Sequence, residues 1–246
     1  EHLPLYATAS GKLFMLDFNK EEVLEYFRST DIKRYTPNTL LNYIDFLENL
    51  ERTAKQDRVP IIRREMQSFL KVFLKMKQPK RILEVGTAVG FSAVFMAQYG
   101  EPDAEITTIE NYEKRIPIAR ENFEKSGFAD RITLIPGDAA EVLKTLDGPY
   151  DFIFMDAAKG QYIHFLPEVL RVLDKNGVLI TDNVLQDGDV IESRFAVERR
   201  NRTIHKRMRE YLFELTHNEG LLTSVVPLGD GIAITMKSHE KREETT

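Results

Sequence analysis

The spacing of apolar residues changes near residue 80 from a helical period to short continuous runs. Over 20–32, 38–56 and 64–77 the apolar positions recur every three or four residues, which predicts amphipathic helices. Beyond residue 80, apolar runs of five or six residues alternate with helical stretches. Because parallel strands need crossover helices and are buried on both faces, this alternation predicts a parallel sheet covered by helices.

The pattern predicts seven strands. The runs at 221–228 and 232–237, separated by GDG, predict an antiparallel hairpin. We therefore expect an α/β, doubly wound, mostly parallel seven-stranded sheet with a C-terminal antiparallel hairpin and added N-terminal helices. The other predicted strands are 81–85, 105–110, 131–136, 151–156 and 177–182, and the helices between them are 91–99, 113–126, 138–146 and 162–174.

The fold is predicted to form a single domain over residues 21–238. Residues 1–20 are interpreted as an N-terminal extension and 239–246 as a frayed charged tail. The apolar fraction of 42% is sufficient for a core, and the net charge of −5 argues against a general polyanion binder. The absence of cysteine excludes disulfides and thiolate metal sites. With no signal-peptide pattern and no apolar stretch of membrane-spanning length, we expect a cytoplasmic protein without membrane partners.

The first strand leads into the turn EVGTAVGFS, residues 84–92. Gly86 and Gly90 permit a tight turn, and the helix that follows offers its N-terminal N–H groups to an anion. The spacing differs from the G-x-G-x-x-G of nicotinamide enzymes. Alone, this turn does not distinguish a cofactor site from an ordinary turn.

The next two strands also end in acids. Glu110 lies 24 residues after Gly86, where an acid can accept both ribose hydroxyls; alternatively it complements the dipole of a helix starting near Tyr112. Asp138 could cap the next helix. It could also bind an adenine amine, with the Ala139 N–H on a ring nitrogen. Glycines, a ribose acid and an adenine acid at three successive strand ends are more specific than any one of them.

With these motifs the chain resembles class I S-adenosylmethionine-dependent methyltransferases. It is most similar to the divalent-metal-dependent catechol and caffeoyl-CoA O-methyltransferases, over about residues 38–238. The resemblance implies S-adenosylmethionine as cofactor. It assigns the methionine moiety to Glu84, Gly86 and Ser92, the ribose to Glu110, the adenine to Asp138 and Ala139, and the pocket lining to Ile62, with Asp156 in both the cofactor and metal sets.

Two further strand ends carry oxygen ligands. Asp156 ends the fourth strand, and Asp182 with Asn183 ends the fifth, which is its neighbour in this topology. Such hard donors suit Mg²⁺ or another divalent cation, although a lone acid at a strand end is usually a helix cap or an ion-pair partner. The resemblance matches these three residues to the metal ligands and Lys159 to the catalytic lysine.

Methyl transfer from a sulfonium requires an ionised, aligned acceptor oxygen. A divalent cation chelated by two adjacent oxygens lowers the acceptor's pKa, and a lysine beside the cation can act as base. The acceptor must therefore have vicinal oxygens. The chain departs from the animal catechol enzymes at Ala158, where they have an aromatic residue, and it has no match for the acid that orients their catechol.

Residues 194–209 carry seven basic residues and one acid, Glu198. Read as a helix, this segment has an apolar face and an opposite basic face. Its charges suit a phosphate backbone, although a solvated charged face is the common alternative. The apolar face comprises Ile204, Met208, Tyr211, Leu212 and Leu215. The basic ridge comprises Arg199, Arg202, Lys206 and Arg209 opposite that face, with Arg200 and Arg207 on a flank.

The sequence RRNRTIHKRM within this segment resembles one branch of the family, the bacterial tRNA 5-hydroxyuridine methyltransferases. The resemblance implies methylation of 5-hydroxyuridine to 5-methoxyuridine at the tRNA wobble position, with the anticodon loop as partner, and a homodimer. The 5-hydroxyl and 4-carbonyl oxygens are adjacent, and an unstacked loop base can enter a pocket. The alternatives are a small-molecule O-methyltransferase acting on a catechol or phenylpropanoid and a catalytically idle RNA-binding protein.

Overall fold

The computed structural model describes Tyr26 and residues 43–56, 59, 61–193 and 195–238. The predicted extension 1–20 and tail 239–246 lie outside these residues, as does the predicted helix 20–32 apart from Tyr26. The helices are α1 (Tyr43–Gln56), α2 (Arg64–Lys77), α3 (Phe91–Tyr99), α4 (Ile116–Ser126), α5 (Ala139–Thr145), α6 (Tyr162–Val172) and α7 (Arg202–His217). The strands are β1 (Arg81–Val85), β2 (Glu105–Glu110), β3 (Ile132–Pro136), β4 (Tyr150–Met155), β5 (Leu173–Asp182), β6 (Leu221–Val226) and β7 (Ile232–Lys237).

The seven strands form one sheet in the order β3-β2-β1-β4-β5-β7-β6. The first five are parallel, and β7 runs antiparallel to both β5 and β6. The predicted fold class is confirmed. The strand order reverses between β1 and β4, and ligands of such sheets bind at the carboxyl ends of the strands near this point.

The central strands are buried on both faces because their apolar residues alternate between two cores. Phe152 and Phe154 of β4 pack with residues of α2, α3 and α4 on one face. Ile153 and Met155 pack with residues of α5, α6 and α7 on the other. This burial fixes the direction in which each strand end projects its polar residue.

Beyond residue 80 and before the basic segment, two elements begin three or more residues away from their predicted starts. Strand β5 begins at Leu173 and not at 177, because the register shifts between Tyr150 and Phe152. Gly177 permits this irregularity, since a Cβ there would lie 2.9 Å from the Tyr150 carbonyl oxygen. Helix α4 begins at Ile116 and not at 113, with a proline in its first turn. None of the helices in the described part of the chain is long and apolar enough to cross a membrane.

Candidate active site

The sheet brings three strand ends together. Met155 of β4 pairs with Thr181 of β5, so Asp156 and Asp182 are the next residues on neighbouring parallel strands. On the other side of β4, the Asp156 N–H donates to the Val85 carbonyl at 3.1 Å, immediately before Gly86. The predicted metal ligands and the predicted cofactor turn therefore meet at the switch point.

The two carboxylates at this point repel each other. Burial, and then the charge of Asp182, raise the pKa of Asp156 to about 7. Burial also raises the pKa of Asp182, and the charge of Asp230 adds to this increase. Two buried acids that disfavour each other's ionisation would be stabilised by a cation between them.

The donor set fits a divalent cation of the magnesium type. Among the described residues no three His, Asp or Glu side chains form a metal-binding group, and the predicted set has two carboxylates and one carboxamide. Mg²⁺ commonly takes only one or two protein carboxylates and completes its shell with water or substrate oxygens. Asn183 adopts a left-handed φ of 61°, which asparagine tolerates, and its N–H donates to Asp182 Oδ1 at 2.7 Å.

Lys159 lies in a short 3₁₀ helix, Lys159–Gln161, that directly follows the end of β4. Its Nζ is 3.0 Å from Oδ2 of Asp230, which is buried in the turn between β6 and β7. The sequence analysis interpreted the GDG motif as a hairpin turn only and assigned Asp230 no role. The available signal was an acid between two glycines in a turn that returns to the ligand-bearing edge of the sheet.

Two buried tyrosines form hydrogen bonds with residues at the ends of β4 and β5. The Tyr162 hydroxyl accepts from the Ala157 N–H at 3.2 Å and donates to the Asp182 carbonyl at 3.3 Å. The Tyr211 ring packs edge-on against Tyr162 with centroids 5.6 Å apart, and its hydroxyl lies 2.6 Å from Thr181 Oγ1. This pair links the ends of β4 and β5, and the sequence analysis had not assigned it a role.

The turn after β1 needs its glycines. Gly86 has a φ of 93°, and a Cβ there would lie 2.4 Å from the Asp156 carbonyl oxygen. Gly90 has a φ of 86°, and a Cβ there would lie 2.5 Å from the Phe123 ring. A larger residue at either position would displace the turn, so the predicted tight turn is confirmed, whereas its approach to a cofactor stays a prediction.

Glu84 is a completely buried acid beside this turn. Burial raises its pKa, and the neighbouring hydroxyls of Ser92, Thr108 and Thr87 offset part of the increase. Thr108 donates to Oε2, whereas Oε1 and the Thr87 hydroxyl have no hydrogen-bond partner within the described residues. A carboxylate and a hydroxyl with free bonding capacity fit the ammonium and carboxylate groups of an amino-acid moiety. Ser92 lies beside Glu84, which is two residues before Gly86, and the binding of the methionine moiety by these three residues stays a prediction.

Glu110 joins the end of β2 to the same turn. Its carboxylate accepts from the backbone N–H groups of Ala88 at 2.8 Å, Asn111 at 3.0 Å and Tyr112 at 2.8 Å. The alternative of a helix starting near Tyr112 is wrong, because α4 begins at Ile116. Each carboxylate oxygen has two lone pairs, so the three bonds leave one acceptor site, on Oε2, for a ribose hydroxyl. Binding of the ribose stays a prediction.

Asp138 is the N-cap of α5, and its Oδ1 accepts from the Ala140 N–H at 2.8 Å. The capping alternative is thus confirmed, whereas adenine binding by Asp138 and Ala139 stays a prediction. Ile62 is buried among the core residues that pack with α2. Its predicted contact with the cofactor is likewise untested.

The basic segment forms less helix than predicted. Arg194 lies outside the described residues, Arg199–Asn201 form a 3₁₀ turn, and α7 begins at Arg202. His205 is buried on the apolar face, with Nε2 3.2 Å from the Glu192 carbonyl oxygen. Ile204, predicted on that face, is 38% exposed.

The basic ridge occupies both flanks of α7 as well as its outer face. Arg202 Nε donates to the Val197 carbonyl at 3.2 Å and Arg209 Nη1 to the Val190 carbonyl at 3.3 Å, which ties Val197 and Val190 to the helix. Arg202 and Arg209 lie three residues before and four residues after the buried His205, which puts them on nearly the same side of the helix. The prediction that these two arginines lie directly opposite the core is therefore corrected. On the other flank, Arg207 Nη1 donates to the Gly160 carbonyl at 3.1 Å, one residue after Lys159.

The remaining members of the basic ridge, Arg199, Arg200 and Lys206, are exposed. Arg200 pairs with Glu198 at 2.7 Å and Lys206 with Glu210 at 3.5 Å. Surface pairs of this kind contribute little to stability. A groove of about 870 Å³ follows α7 beside them but does not border Lys159. It is lined by Ile163, Ser193, His205, Lys206, Arg209, Glu210, Phe213 and Glu214.

Comparison with known proteins agrees with this geometry. A family model described as O-methyltransferase matches residues 41–238. A second model, bacterial transcriptional regulator IclR C-terminal, matches residues 1–58, most of which lie outside the described part.

The chain is 34% identical to a catechol O-methyltransferase of Mycobacterium tuberculosis, a match that covers 46% of this chain and 52% of that protein. It thus spans about half the length of that relative. It is 31% identical to caffeoyl-CoA O-methyltransferase 5 of Nicotiana tabacum, over 68% of this chain and 72% of the relative.

Among solved structures, the chain superposes on the SAH-bound methyltransferase PaMTH1 of Podospora anserina with a TM-score of 0.71 and 28% identity, over 90% of this chain and 97% of that one. The family match extends over most of the chain, and the described strands and turns are those that such a fold uses. This chain therefore belongs to the O-methyltransferase family, within the class I S-adenosylmethionine-dependent type.

Proposed function

We propose that this protein transfers a methyl group from S-adenosylmethionine to the 5-hydroxyl of 5-hydroxyuridine at the tRNA wobble position. The observation that supports this most directly is the hydrogen bond from Arg207, in the basic ridge, to the Gly160 carbonyl beside Lys159. A phosphate bound along α7 would therefore lie close to the 3₁₀ turn that carries Lys159, called the catalytic turn below. The anticodon loop is the proposed partner.

S-adenosylmethionine supplies an activated methyl group when bound, so the chain has to hold it and prepare the acceptor. In this proposal Glu84, Ser92 and Glu110 would hold the cofactor near the ends of β1 and β2. A divalent cation held by Asp156, Asp182 and Asn183 would make the acceptor hydroxyl easier to ionise. Lys159 is about one-third exposed, which allows its Nζ to meet an acceptor and remove the hydroxyl proton.

The charges along α7 support a polyanionic acceptor. Arg199, Arg200 and Lys206 are exposed. The pairs of Arg200 with Glu198 and of Lys206 with Glu210 are surface pairs, which contribute little to stability and can open for a phosphate.

The guanidinium groups of Arg202, Arg207 and Arg209 bind the backbone carbonyls of Val197, Gly160 and Val190, and of these Gly160 is next to Lys159. A guanidinium has five N–H donors, so one hydrogen bond to a carbonyl leaves others for phosphate. This arrangement favours RNA over a small neutral acceptor.

The second candidate is methylation of a small catechol or phenylpropanoid. It is favoured by the names of the relatives described above, a catechol and a caffeoyl-CoA O-methyltransferase. Both candidates need vicinal oxygens on the acceptor and would use the same catalytic residues. They differ in whether the basic ridge takes part.

The direct test is incubation with labelled S-adenosylmethionine and Mg²⁺ in parallel with three acceptors. These are tRNA from cells that lack the methoxylated wobble base, catechol and caffeoyl-CoA. We expect 5-methoxyuridine in the digested tRNA. Labelling of catechol or caffeoyl-CoA with none of the tRNA would instead establish the second candidate.

A charge-matched pair of variants tests the basic ridge. Arg199, Arg200 and Lys206 replaced together by Gln should weaken tRNA binding without loss of stability, because all three are exposed. The slope of log affinity against log salt should flatten by about 0.7–0.9 for each phosphate that the variant no longer neutralises. The control replaces three exposed lysines on other elements, Lys75, Lys144 and Lys175, by Gln. Equal effects of the two triples would contradict the ridge as an RNA surface.

A homodimer, expected from the resemblance, is proposed as well. Sedimentation equilibrium at micromolar concentration measures it, and a monomer mass at all concentrations would contradict it.

A further inference from the structure

The turn between β6 and β7 holds a buried acid against Lys159. Asp230 is 5% exposed, and its Oδ2 lies 3.0 Å from Lys159 Nζ. The pair joins two segments that are 71 residues apart in the chain. It connects the hairpin to the catalytic turn at the end of β4.

The backbone around Asp230 is fixed on both sides. Its carbonyl accepts from the Leu185 N–H at 2.9 Å, and the Gly231 carbonyl accepts from the Val184 N–H at 3.0 Å. Gly231 has a φ of 79°, and a Cβ there would lie 2.2 Å from Leu185 Cγ. The turn is therefore packed directly on the segment that follows Asn183, and the Asp230 carboxylate has a defined position relative to the metal ligands.

A hairpin turn does not by itself require a buried acid, because polar or glycine residues that stay in solvent serve the same turn geometry. Burying a carboxylate costs several kcal/mol unless a partner compensates. Lys159 is one such partner of Asp230. The arrangement repeats the general pattern of a catalytic base held by a buried acid.

We propose that Asp230 is a positioning residue for Lys159 in the methyl-transfer reaction, an inference that rests on the proposed role of Lys159 as base. As a neutral amine, Lys159 has two N–H donors and one lone pair. Donation of one N–H to Asp230 fixes the rotation of the amine and directs the lone pair toward the acceptor. After proton transfer, the carboxylate balances the charge of the ammonium.

The step is balanced in atoms and charge. Nζ takes the proton of the acceptor hydroxyl as the O–H bond breaks. The oxygen forms a bond to the methyl carbon, and the S–CH₃ bond breaks with its electron pair passing to sulfur. The products are the methyl ether, S-adenosylhomocysteine and the Lys159 ammonium, which returns its proton to solvent.

A double-mutant cycle with Asp230→Asn and Lys159→Met tests the proposal on two acceptors. These are a tRNA anticodon stem-loop carrying 5-hydroxyuridine and catechol. Asp230→Asn keeps the shape of the side chain, so we expect kcat to fall by about 10–10³-fold with unchanged KM and unchanged S-adenosylmethionine affinity. In the Lys159→Met background it should have no further effect, because the residue acts through the lysine. The loss of kcat in Asp230→Asn should become smaller as the pH rises, because the acceptor hydroxyl then ionises without a base.

Two further variants control for folding. Asp103→Asn removes another Asp–Lys pair, with Lys80 at the opposite end of the sheet, and should leave kcat unchanged. Asp230→Glu restores the carboxylate and should recover part of the loss, which a folding defect would not allow.

Three results would overturn the proposal. The first is a wild-type kcat for Asp230→Asn. The second is that Asp230→Asn lowers kcat equally in the wild-type and Lys159→Met backgrounds. The third is that the loss of kcat in Asp230→Asn does not change with pH. The proposed function is tested separately by the same data. Turnover of catechol alone would reject the tRNA substrate while the cycle on catechol still decides the role of Asp230. Full activity of Lys159→Met would reject the base and this inference together.

Discussion

The acids at the ends of β2 and β3 differ from those at the ends of β4 and β5 in how their charge is balanced. Glu110 accepts three backbone N–H groups, and Asp138 accepts one at the start of α5. By contrast, no hydrogen bond to the Asp156 carboxylate is formed within the described residues, and burial with the charge of Asp182 raises its pKa to about 7. Backbone donors thus satisfy the first pair. In the second pair only Asp182 accepts a backbone N–H, from Asn183 at 2.7 Å, and burial raises the pKa of both acids.

This difference in hydrogen bonding matches the two functions predicted for this edge of the sheet, cofactor binding at β2 and β3 and metal binding at β4 and β5. Backbone donors and helix N-termini hold the acids that are expected to bind the ribose and adenine, so that part is prepared by local structure. The acids of β4 and β5 have Lys159 and Asp230 as neighbours and accumulate negative charge. A bound cation would relieve this repulsion, which is the role that the sequence analysis predicted for these acids.

The comparison is tested most strongly by removal of one acid from the second pair. Asp182→Ala should reduce methyl transfer to background, because the cation would lose a ligand, while calorimetry should find an unchanged affinity for S-adenosylmethionine. Chelation of the metal should have the same effect and added Mg²⁺ should reverse it. Asp130→Ala, an exposed acid in the turn before β3, is the control. Full activity in excess chelator would refute the metal-assisted reaction.

A smaller loss is expected at Lys159. Lys159→Met should lower kcat by about 10²–10⁴-fold, the usual contribution of a positioned base. Higher pH should partly restore it as the acceptor ionises unaided. Lys144→Met, an exposed lysine on α5 that pairs with Glu141, is the matched control. Normal turnover of Lys159→Met at neutral pH would show that the lysine only pairs with Asp230.

Gly86 lies at the contact between the predicted cofactor side of the sheet edge, at β1 to β3, and the predicted metal side, at β4 and β5. Gly86→Ala places a Cβ 2.4 Å from the Asp156 carbonyl oxygen, so the turn must move and S-adenosylmethionine should bind about tenfold more weakly, a loss of about 1.4 kcal/mol. Gly188→Ala is the control, because Gly188 has a φ of 94° but no atom within 4 Å of a Cβ. It measures the backbone strain alone, about 1–3 kcal/mol. Similar cofactor affinities of the two variants would show that the contact between the two sides is unimportant.

The smallest effect concerns pH and stability without metal. The Asp156 pKa is about 7 in the fold against an ordinary 3.8, so the folded protein binds a proton that the unfolded chain releases. Stability should fall as the pH rises from about 4 to 7. Asp156→Asn removes this loss, so its Tm should exceed that of the wild type by more at pH 8 than at pH 5. A few degrees are expected, since about 1 kcal/mol shifts the Tm of such a domain by about 2–4 °C.

Differential scanning calorimetry in chelator measures this effect. Added Mg²⁺ should then raise the Tm of the wild type more than that of Asp156→Asn. A Tm difference that is constant from pH 5 to 8 would contradict the assignment of the raised pKa to Asp156.

Much of the fold could be predicted because its signals are local. Strand runs with apolar residues at every position, such as FIFM in β4, reveal burial on both faces. The acids that close each run reveal the functional edge, because the carboxyl ends of parallel strands lie together. Glu110 and Asp156 were predicted as site residues in this way, each as the residue that ends a predicted strand.

The sequence alone thus determined the strand alternation, the order of the polar strand ends and the charge of the basic segment, all of which depend on residues close together in the chain. Only the tertiary structure revealed Asp230 against Lys159 and Tyr162 between Ala157 and Asp182. It also showed that Arg202 and Arg209 bind loop carbonyls on the flank of α7. These contacts depend on which strands and helices become neighbours when the sheet forms, and no local period in the chain encodes that choice.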